Sequence, residues 1–337
     1  MKEKKGSKLK IAAIIVLVVM LLYTVCAFLP RQESYKGENP LRSAGLPMLI
    51  AHGGGNGEFP DNTLEAFYNA YSVDKNVMME TDVSMTKDGV VILSHDTTID
   101  RKTNKTGAIA DLNYSDLIAE EVDFGYHNVG AAEGELIRFK NENGEHVTPL
   151  DVEYPEGVTP RHSEVFLATT LSELITAFPN NNINVEIKQK GDLGLACLAR
   201  TLEIIEELDA YDRVSLASFH DEIYTELLRL DAGGEVPDGF MYSPNTGGVI
   251  KFFILHLTGL DAFFFDGVAV LQVPTDKYGL RLDTLELVNR AHMHNIAVEY
   301  WTINDVDDMR HLIEIGADGI MTDYPHRLKE VLMEYEE

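Results

Sequence analysis

From Met48 onward, short apolar runs alternate with amphipathic stretches of helical period. The runs at Met48 to Ala51, Val77 to Val83, Val90 to Ser94, Asn182 to Ile187, Val214 to Ser218, Gly239 to Met241, Phe263 to Val270, Ala297 to Trp301 and Gly319 to Met321 read as strands. Between them, Thr63 to Ser72, Leu193 to Leu208, Asp221 to Leu230, Leu282 to His294 and Val306 to Ile315 carry apolar residues at the three-and-four spacing of an amphipathic helix. Strands alternating with helices predict a parallel sheet with crossover helices, and about eight such units predict an α/β fold of the closed (β/α)8 TIM-barrel type. The Thr86-Lys87-Asp88-Gly89 connection is too short for a parallel crossover and carries an Asp-Gly hairpin signal. The strands on either side of it should therefore pair antiparallel, which brings His95 alongside Glu80 and Asp82.

Ahead of the barrel, the pattern changes. Lys2, Lys4, Lys5, Lys8 and Lys10 precede Ile11 to Leu29, 19 residues without a charge, which as a helix would span roughly 28 Å. The expectation is a basic cytoplasmic segment over 1–10 and an uncleaved transmembrane anchor over 11–29, with a secretory signal ending near Val25-Cys26-Ala27 as the alternative. The lysine bias places the N-terminus in the cytoplasm and the catalytic domain outside the cell membrane. A linker over 30–47, rich in Pro, Gly, Ser and charge, leads to a barrel domain over 48–337. Between Asp123 and Phe166 no period is sustained and Gly and Pro recur, so about 124–166 reads as an insertion, either a lid over the barrel mouth or a surface excursion.

Composition narrows the partners. With 28 Lys+Arg against 55 Asp+Glu the 337-residue chain carries a net charge of −27, which argues against nucleic acid as a partner, because that binding needs clustered positive charge. The two cysteines, Cys26 and Cys197, sit in the apolar N-terminal run and in a helical stretch, so no intradomain disulfide is expected.

Candidate chemistry is concentrated early in the barrel. Residues i and i+2 of a strand share a face, so Glu80 and Asp82 point the same way, and two carboxylates so placed repel unless a cation sits between them. Together with His52, His95 and the run Gly53-Gly54-Gly55 they form a kit for metal-assisted acid/base attack on a phosphate ester. The alternative for the carboxylates is a structural ion pair with Lys188 or Arg101. The glycines either offer backbone N–H groups to a phosphate or only make a tight turn. Lys188 shares the strand face of Glu186 and is the stronger phosphate candidate. Val249 to Leu257 and Phe263-Phe264-Phe265 are either barrel core or an apolar lip for a lipid chain or a bilayer surface.

The ordered motifs resemble the glycerophosphodiester phosphodiesterase family. Its His-Arg-Gly, Pro-Glu-Asn-Thr-Leu-x-Ala-Phe, Glu-Leu-Asp-Val and Thr-x-Asp-Gly-x-x-Val-x-x-His-Asp are matched by His52-Gly53-Gly54, Pro60 to Phe67, Glu80 to Val83 and Thr86 to Asp96. Val185 to Lys188, Ser218-Phe219, Trp301 to Asn304 and Gly316 to Pro325 continue the match. The resemblance implies that Glu80, Asp82 and Glu186 hold a divalent metal, that His52 and His95 are an acid/base pair, and that Lys188, Gly53, Gly54, Asp61, Asn62 and Trp301 line the substrate site. All-oxygen ligands favour Ca²⁺ or Mg²⁺ over zinc. Two residues depart from the family: its phosphate-contacting Arg is Gly53 here, and the Glu of Pro-Glu-Asn-Thr is Asp61. The implied activity is metal-dependent hydrolysis of glycerophosphodiesters, small or lipid-derived, to an alcohol and glycerol phosphate. Two other readings stay open at this point, a non-catalytic glycerophosphate-binding barrel and a phospholipase or sphingomyelinase D-like enzyme.

Overall fold

In the computed structural model, which describes residues 2–132, 134–277 and 279–336, strands and helices alternate along the chain. Met1 of the basic segment, Glu133 of the insertion and Glu337 at the barrel's end lie outside the described residues, as do the side chains of the lysine cluster. Helix α1 (Lys2–Ala27) comes first, then β1 (Met48–His52), α2 (Leu64–Val73), β2 (Met78–Met85), β3 (Val91–Leu93), α3 (Tyr114–Leu117) and α4 (Leu171–Ala177). The second half runs β4 (Ile183–Ile187), α5 (Gly191–Glu207), β5 (Val214–Ala217), α6 (Asp221–Gly233), β6 (Met241–Tyr242), α7 (Thr246–Leu257) and β7 (Val270–Val273). A small hairpin, β8 (Asp276–Lys277) and β9 (Leu280–Arg281), precedes α8 (Leu285–Met293), β10 (Ala297–Tyr300), α9 (Val306–Glu314), β11 (Gly319–Thr322) and α10 (Pro325–Met333).

Eight of these strands pair in parallel in the order β6-β5-β4-β2-β1-β11-β10-β7, a nearly closed barrel of the TIM type. The gap between β6 and β7 is bridged by the Ala269 N–H donating to the Tyr242 carbonyl at 3.0 Å. β3 pairs antiparallel with β2, Val83 opposite Leu93, as the Asp88-Gly89 turn predicts. Gly89 takes φ +83°, a left-handed conformation that glycine adopts without penalty.

Side-chain alternation sorts the staves into two cores. Leu49, Ala51, Met79, Val185, Leu216, Val298 and Ile320 face the helices, while Ile50, Met78, Met241, Val270, Ala297 and Met321 fill the barrel interior. By the period of two, the interior column continues upward into His52, Glu80, Asp82, Glu186 and Trp301. Its other end is stopped by Tyr35 and Leu41, which pack into the same interior cluster. Segment 31–43 is tied across that end by Arg31 to Asp261 at 2.9 Å, Asn39 to the Ala269 and Asn295 carbonyls at 2.8 Å each, and Arg42 to Asp318 at 3.1 Å.

Two expectations are corrected. Among the described residues no helix is long and apolar enough to cross a membrane. α1 ends at Ala27, so Phe28 and Leu29 leave the helix, and the stretch from Ile11 to Ala27 rises only about 26 Å against a hydrocarbon core of roughly 30 Å. The transmembrane helix, the membrane partner and the single-pass topology with an extracellular catalytic domain fall with it. The strand expected over 263–270 begins only at Val270. Asp261–Phe263 forms a 3-10 turn, Phe264 buries against Phe252 with ring centroids 5.0 Å apart, and Phe263 and Phe265 face solvent. The alternation of Phe263-Phe264-Phe265 mimics a strand, but the segment packs on α7 through Phe264.

Candidate active site

Strand register assembles three carboxylates. His52 lies opposite Glu80 across β1 and β2, and Asp82 lies opposite Glu186 across β2 and β4. Ligand atoms of Glu80, Asp82 and Glu186 fall within 4.8 Å of one another. Burial and the charge of Asp82 raise the Glu80 carboxyl above its ordinary range, and burial likewise raises Glu186. The Lys188 ammonium bridges Asp82 and Glu186 at 2.9 Å each; burial would lower its pKa, but the two carboxylates outweigh that and raise it. One ammonium among three carboxylates leaves an excess of negative charge at an all-oxygen cluster, which is the donor set and charge that a hard divalent ion fits.

The supports of this cluster come from the motif turns. Asn62 adopts φ +59°, donates from its amide nitrogen to Asp82 at 3.1 Å, and accepts on its amide oxygen from the Thr81 hydroxyl and the Asp82 N–H. The Gly53 N–H donates to Glu80 at 2.9 Å, that of Gly54 to the Ala51 carbonyl and that of Gly55 to the His52 carbonyl. The glycine run therefore makes a tight turn whose N–H groups are spent within the protein. At Gly53, φ is +55° and a Cβ would sit 3.0 Å from the Asp61 Cβ, so an arginine here would be both strained and crowded.

Each histidine is held by its own aspartate. His52 Nδ1 lies 2.7 Å from Asp323, whose other oxygen accepts from the Asn304 amide at 2.7 Å. Burial would lower the His52 pKa, but the Asp323 hydrogen bond and the charges of Glu80, Asp323 and Asp82 outweigh it and raise it to about 9. On the hairpin side, the Ser94 N–H bonds the Asp82 carbonyl at 2.8 Å and sets the next residue, His95, at the cleft. His95 Nδ1 lies 2.8 Å from Asp96, and Arg101 donates to the far oxygen of Asp96 at 2.7 Å. The His95 contact pulls Asp96 down to about 2, with Arg101 adding to it.

Arg101 also grips Asp61 with two bonds of 3.1 Å. Lys102, almost fully buried, donates to the Asp61 carbonyl. Burial opposes ionisation of Asp61, but the charges of Lys102 and Arg101 hold its carboxyl far below the ordinary range. Burial lowers Lys102 to about 8 against the pull of Asp61. Asp61 and Asn62 thus act as supports and also line a polar recess together with Gly53, Asn56, Asp82, His95 and Arg101.

The main cleft, about 250 Å³, is lined by His52, Glu80, His95, Glu186 and Lys188 on one side and by Phe219, Pro244, Gln272 and Trp301 on the other. Trp301 and Phe219 meet edge to face, centroids 5.8 Å apart. Gly54 is packed under α2, where a Cβ would strike Ala66 at 2.8 Å, and does not line the cleft. Sequence reasoning gave no role to Asp96, Asp323 or Asn304. All three stood inside quoted motifs, but only the fold shows which histidine each one serves.

The model of the glycerophosphoryl diester phosphodiesterase family matches residues 52–327. The chain belongs to that family. It is 26% identical over 311 residues to lysophospholipase D GDPD1 of Homo sapiens, covering 85% of this chain and 86% of that one. It is 24% identical over 290 residues to the glycerophosphodiester phosphodiesterase of Bacillus altitudinis, covering 85% and 98%. In fold it resembles a phosphodiesterase of Oleispira antarctica solved with the product sn-glycerol-3-phosphate, with a TM-score of 0.61 at 21% identity over 86% of this chain and 97% of that one. Family membership makes the protein an enzyme, a phosphoric diester hydrolase, and removes the non-catalytic barrel from consideration.

Proposed function

We propose that the protein hydrolyses glycerophosphodiesters with the help of a divalent cation, Ca²⁺ or Mg²⁺, held by Glu80, Asp82 and Glu186. The observation that carries this reading is the juxtaposition of two His–Asp pairs with a buried carboxylate triad in one cleft. A cation bound there supplies positive charge to a non-bridging phosphate oxygen.

The chain's own residues do the rest. One histidine takes the proton of the attacking water as its oxygen bonds phosphorus. The other gives a proton to the alcohol oxygen as its bond to phosphorus breaks. Asp323 and Asp96 orient the two rings through Nδ1, leaving each Nε2 for this exchange. Lys188 offers an ammonium to the phosphate, a role the family gives to the arginine that Gly53 replaces. Trp301 walls the cleft, Asp61 and Asn62 hold the machinery in register, and Gly53 and Gly54 make the turn that brings His52 to the rim.

Product analysis decides the matter. Chelator-treated protein is incubated with glycerophosphocholine, glycerophosphoethanolamine and glycerophosphoglycerol, each with and without added Ca²⁺ or Mg²⁺. Cation-dependent release of glycerol phosphate and the free alcohol is the expected outcome. Full turnover without any cation, or release of no product under any condition, overturns the proposal.

A further inference from the structure

The barrel interior changes character one step above its apolar filling. Two residues past Met241, Val270 and Ala297, which belong to that filling, the chain places Ser243, Gln272 and Glu299. On β4 the position two residues before Glu186 is Asn184. By the period of two these side chains share the interior face, where barrels of this class are filled mainly by branched apolar residues. Asn184, Ser243 and Gln272 line the reaction cleft, and Glu299 lies opposite Gln272 across the β7–β10 pairing.

Glu299 is the costly member of this layer. It is shut off from solvent, and no basic side chain pairs with it among the described residues. Its Oε2 accepts from the Gln272 Nε2 at 2.9 Å, while its Oε1 has no partner among the described residues. Burial raises the carboxyl to about 7; the charge of Asp318 adds to this and the Gln272 bond opposes it. The side chain fits because position 319 is glycine, where a Cβ would sit 2.9 Å from the Glu299 Cγ. A buried acid of this kind is expensive, and what it holds in place is the Gln272 amide.

That bond sets which way round the amide sits. With Nε2 committed to the carboxylate, the Gln272 Oε1, which takes no hydrogen bond from the described residues, is the end left for the cleft. Across the cleft the Ser215 hydroxyl donates to the Asn184 Oδ1 at 3.1 Å, which leaves the Asn184 Nδ2 as a donor. The Ser243 hydroxyl both donates and accepts. The set is polar, mixed and uncharged. It suits hydroxyl groups, which donate and accept at once, better than a phosphate, which calls for cationic donors, or a quaternary ammonium, which calls for aromatic faces.

We propose that Gln272 is a specificity-determining residue, held by Glu299 as a positioning residue, and that with Asn184 and Ser243 it binds the hydroxyls of the substrate's glyceryl arm. The proposal deepens the phosphodiesterase reading above and rests on it for the substrate.

The test uses the full chain with Ca²⁺ or Mg²⁺ and compares sn-glycerol 3-phosphate with n-propyl phosphate, which has the same phosphate and carbon chain without the hydroxyls. Binding is followed through the emission of Trp301, the only tryptophan, which lines the same cleft. Glycerol phosphate should bind tenfold or more tighter, the scale of one or two neutral hydrogen bonds. The preference should fall to threefold or less in Gln272→Met and in Glu299→Met, whose unbranched side chains carry no amide or carboxyl. It should return in Glu299→Gln, whose amide oxygen accepts the same bond. Gln272 is only partly buried, so Gln272→Met carries the test alone if Glu299→Met does not fold. Hydrolysis of glycerophosphocholine should follow the same order, with the loss chiefly in KM. No preference in the parent, or a preference that survives Gln272→Met, overturns the hydroxyl site and leaves the hydrolase reading intact. A preference lost in Gln272→Met and kept in Glu299→Gln, with no hydrolysis of any diester, supports the hydroxyl site and overturns the reaction.

Discussion

The two sides of the cleft are built on opposite principles. Along β1, β2 and β4 the wall is a lattice of acidic and basic side chains: Glu80, Asp82, Glu186 and Lys188, flanked by His52–Asp323 and His95–Asp96–Arg101–Asp61. Along β5, β6, β7 and β10 it is Phe219, Pro244 and Trp301, continued by α7. Buried charges must be matched by partners or they cost several kcal/mol each, so every member of the first wall is fixed by its neighbours. The second wall needs only shape and apolar area, and its members are individually expendable. The ionic wall and the apolar wall of one cleft thus rise from different staves of the barrel.

The largest effect that could break this division is loss of the cation or of a histidine. Stripping divalent ions, or Glu80→Gln, should abolish turnover of every head-group diester. His52→Ala and His95→Ala should each lower kcat on the order of 10³-fold, again irrespective of the head group. A histidine variant that slows only one of the diesters would contradict the separation of the two walls.

Next in size is a stability effect on the ionic wall. Asp61→Asn leaves Lys102 buried and Arg101 without one of its carboxylates, and should lower unfolding free energy by about 3–5 kcal/mol, measured by chemical denaturation at neutral pH. An unchanged midpoint would mean that the wall is not held by this network.

Asp323→Asn should cost about 10- to 100-fold in activity, the usual scale for removing a carboxylate that orients a working imidazole. It should also move the pH profile in a defined direction. Asp323 raises the His52 pKa, so its removal lets the ring lose its proton at lower pH, and whichever limb of the profile reports His52 shifts toward acid. A shift toward alkali would show that the Asp323 charge does not act on His52.

The smallest effect belongs to the apolar wall. Leu280→Ala removes part of a half-exposed side chain beside that wall, should change stability by no more than about 0.5 kcal/mol, and should leave kcat for glycerophosphocholine unaltered. A severe loss of activity would mean that the two walls are one unit after all.

Legibility in the sequence followed the range of the physics involved. The shared face of Glu80 and Asp82, the hairpin at Asp88-Gly89 and the inward column that ends in His52 all follow from two-residue strand alternation and turn chemistry, which act within a few residues. The same local alternation misled at Phe263-Phe264-Phe265, where packing on α7 overrode it. A count of uncharged residues also misled at the N-terminus, where the helix ends at Ala27, short of Leu29, and no helix among the described residues is long and apolar enough to cross a membrane.

By itself, then, the sequence determined the barrel class, the family and the side-chain types of the ionic wall, because strand period and motif spacing are properties of neighbouring residues. Only the tertiary structure decided that Asp82 faces Glu186, about a hundred positions away, that Asp323 serves His52 while Asp96 serves His95, that the Gly53 N–H is committed to Glu80, and that α7 leaves an apolar groove open beside Trp301. These depend on cross-strand register and on which helix face the core claims, and both are settled by burial and hydrogen-bond pairing between segments far apart in the chain.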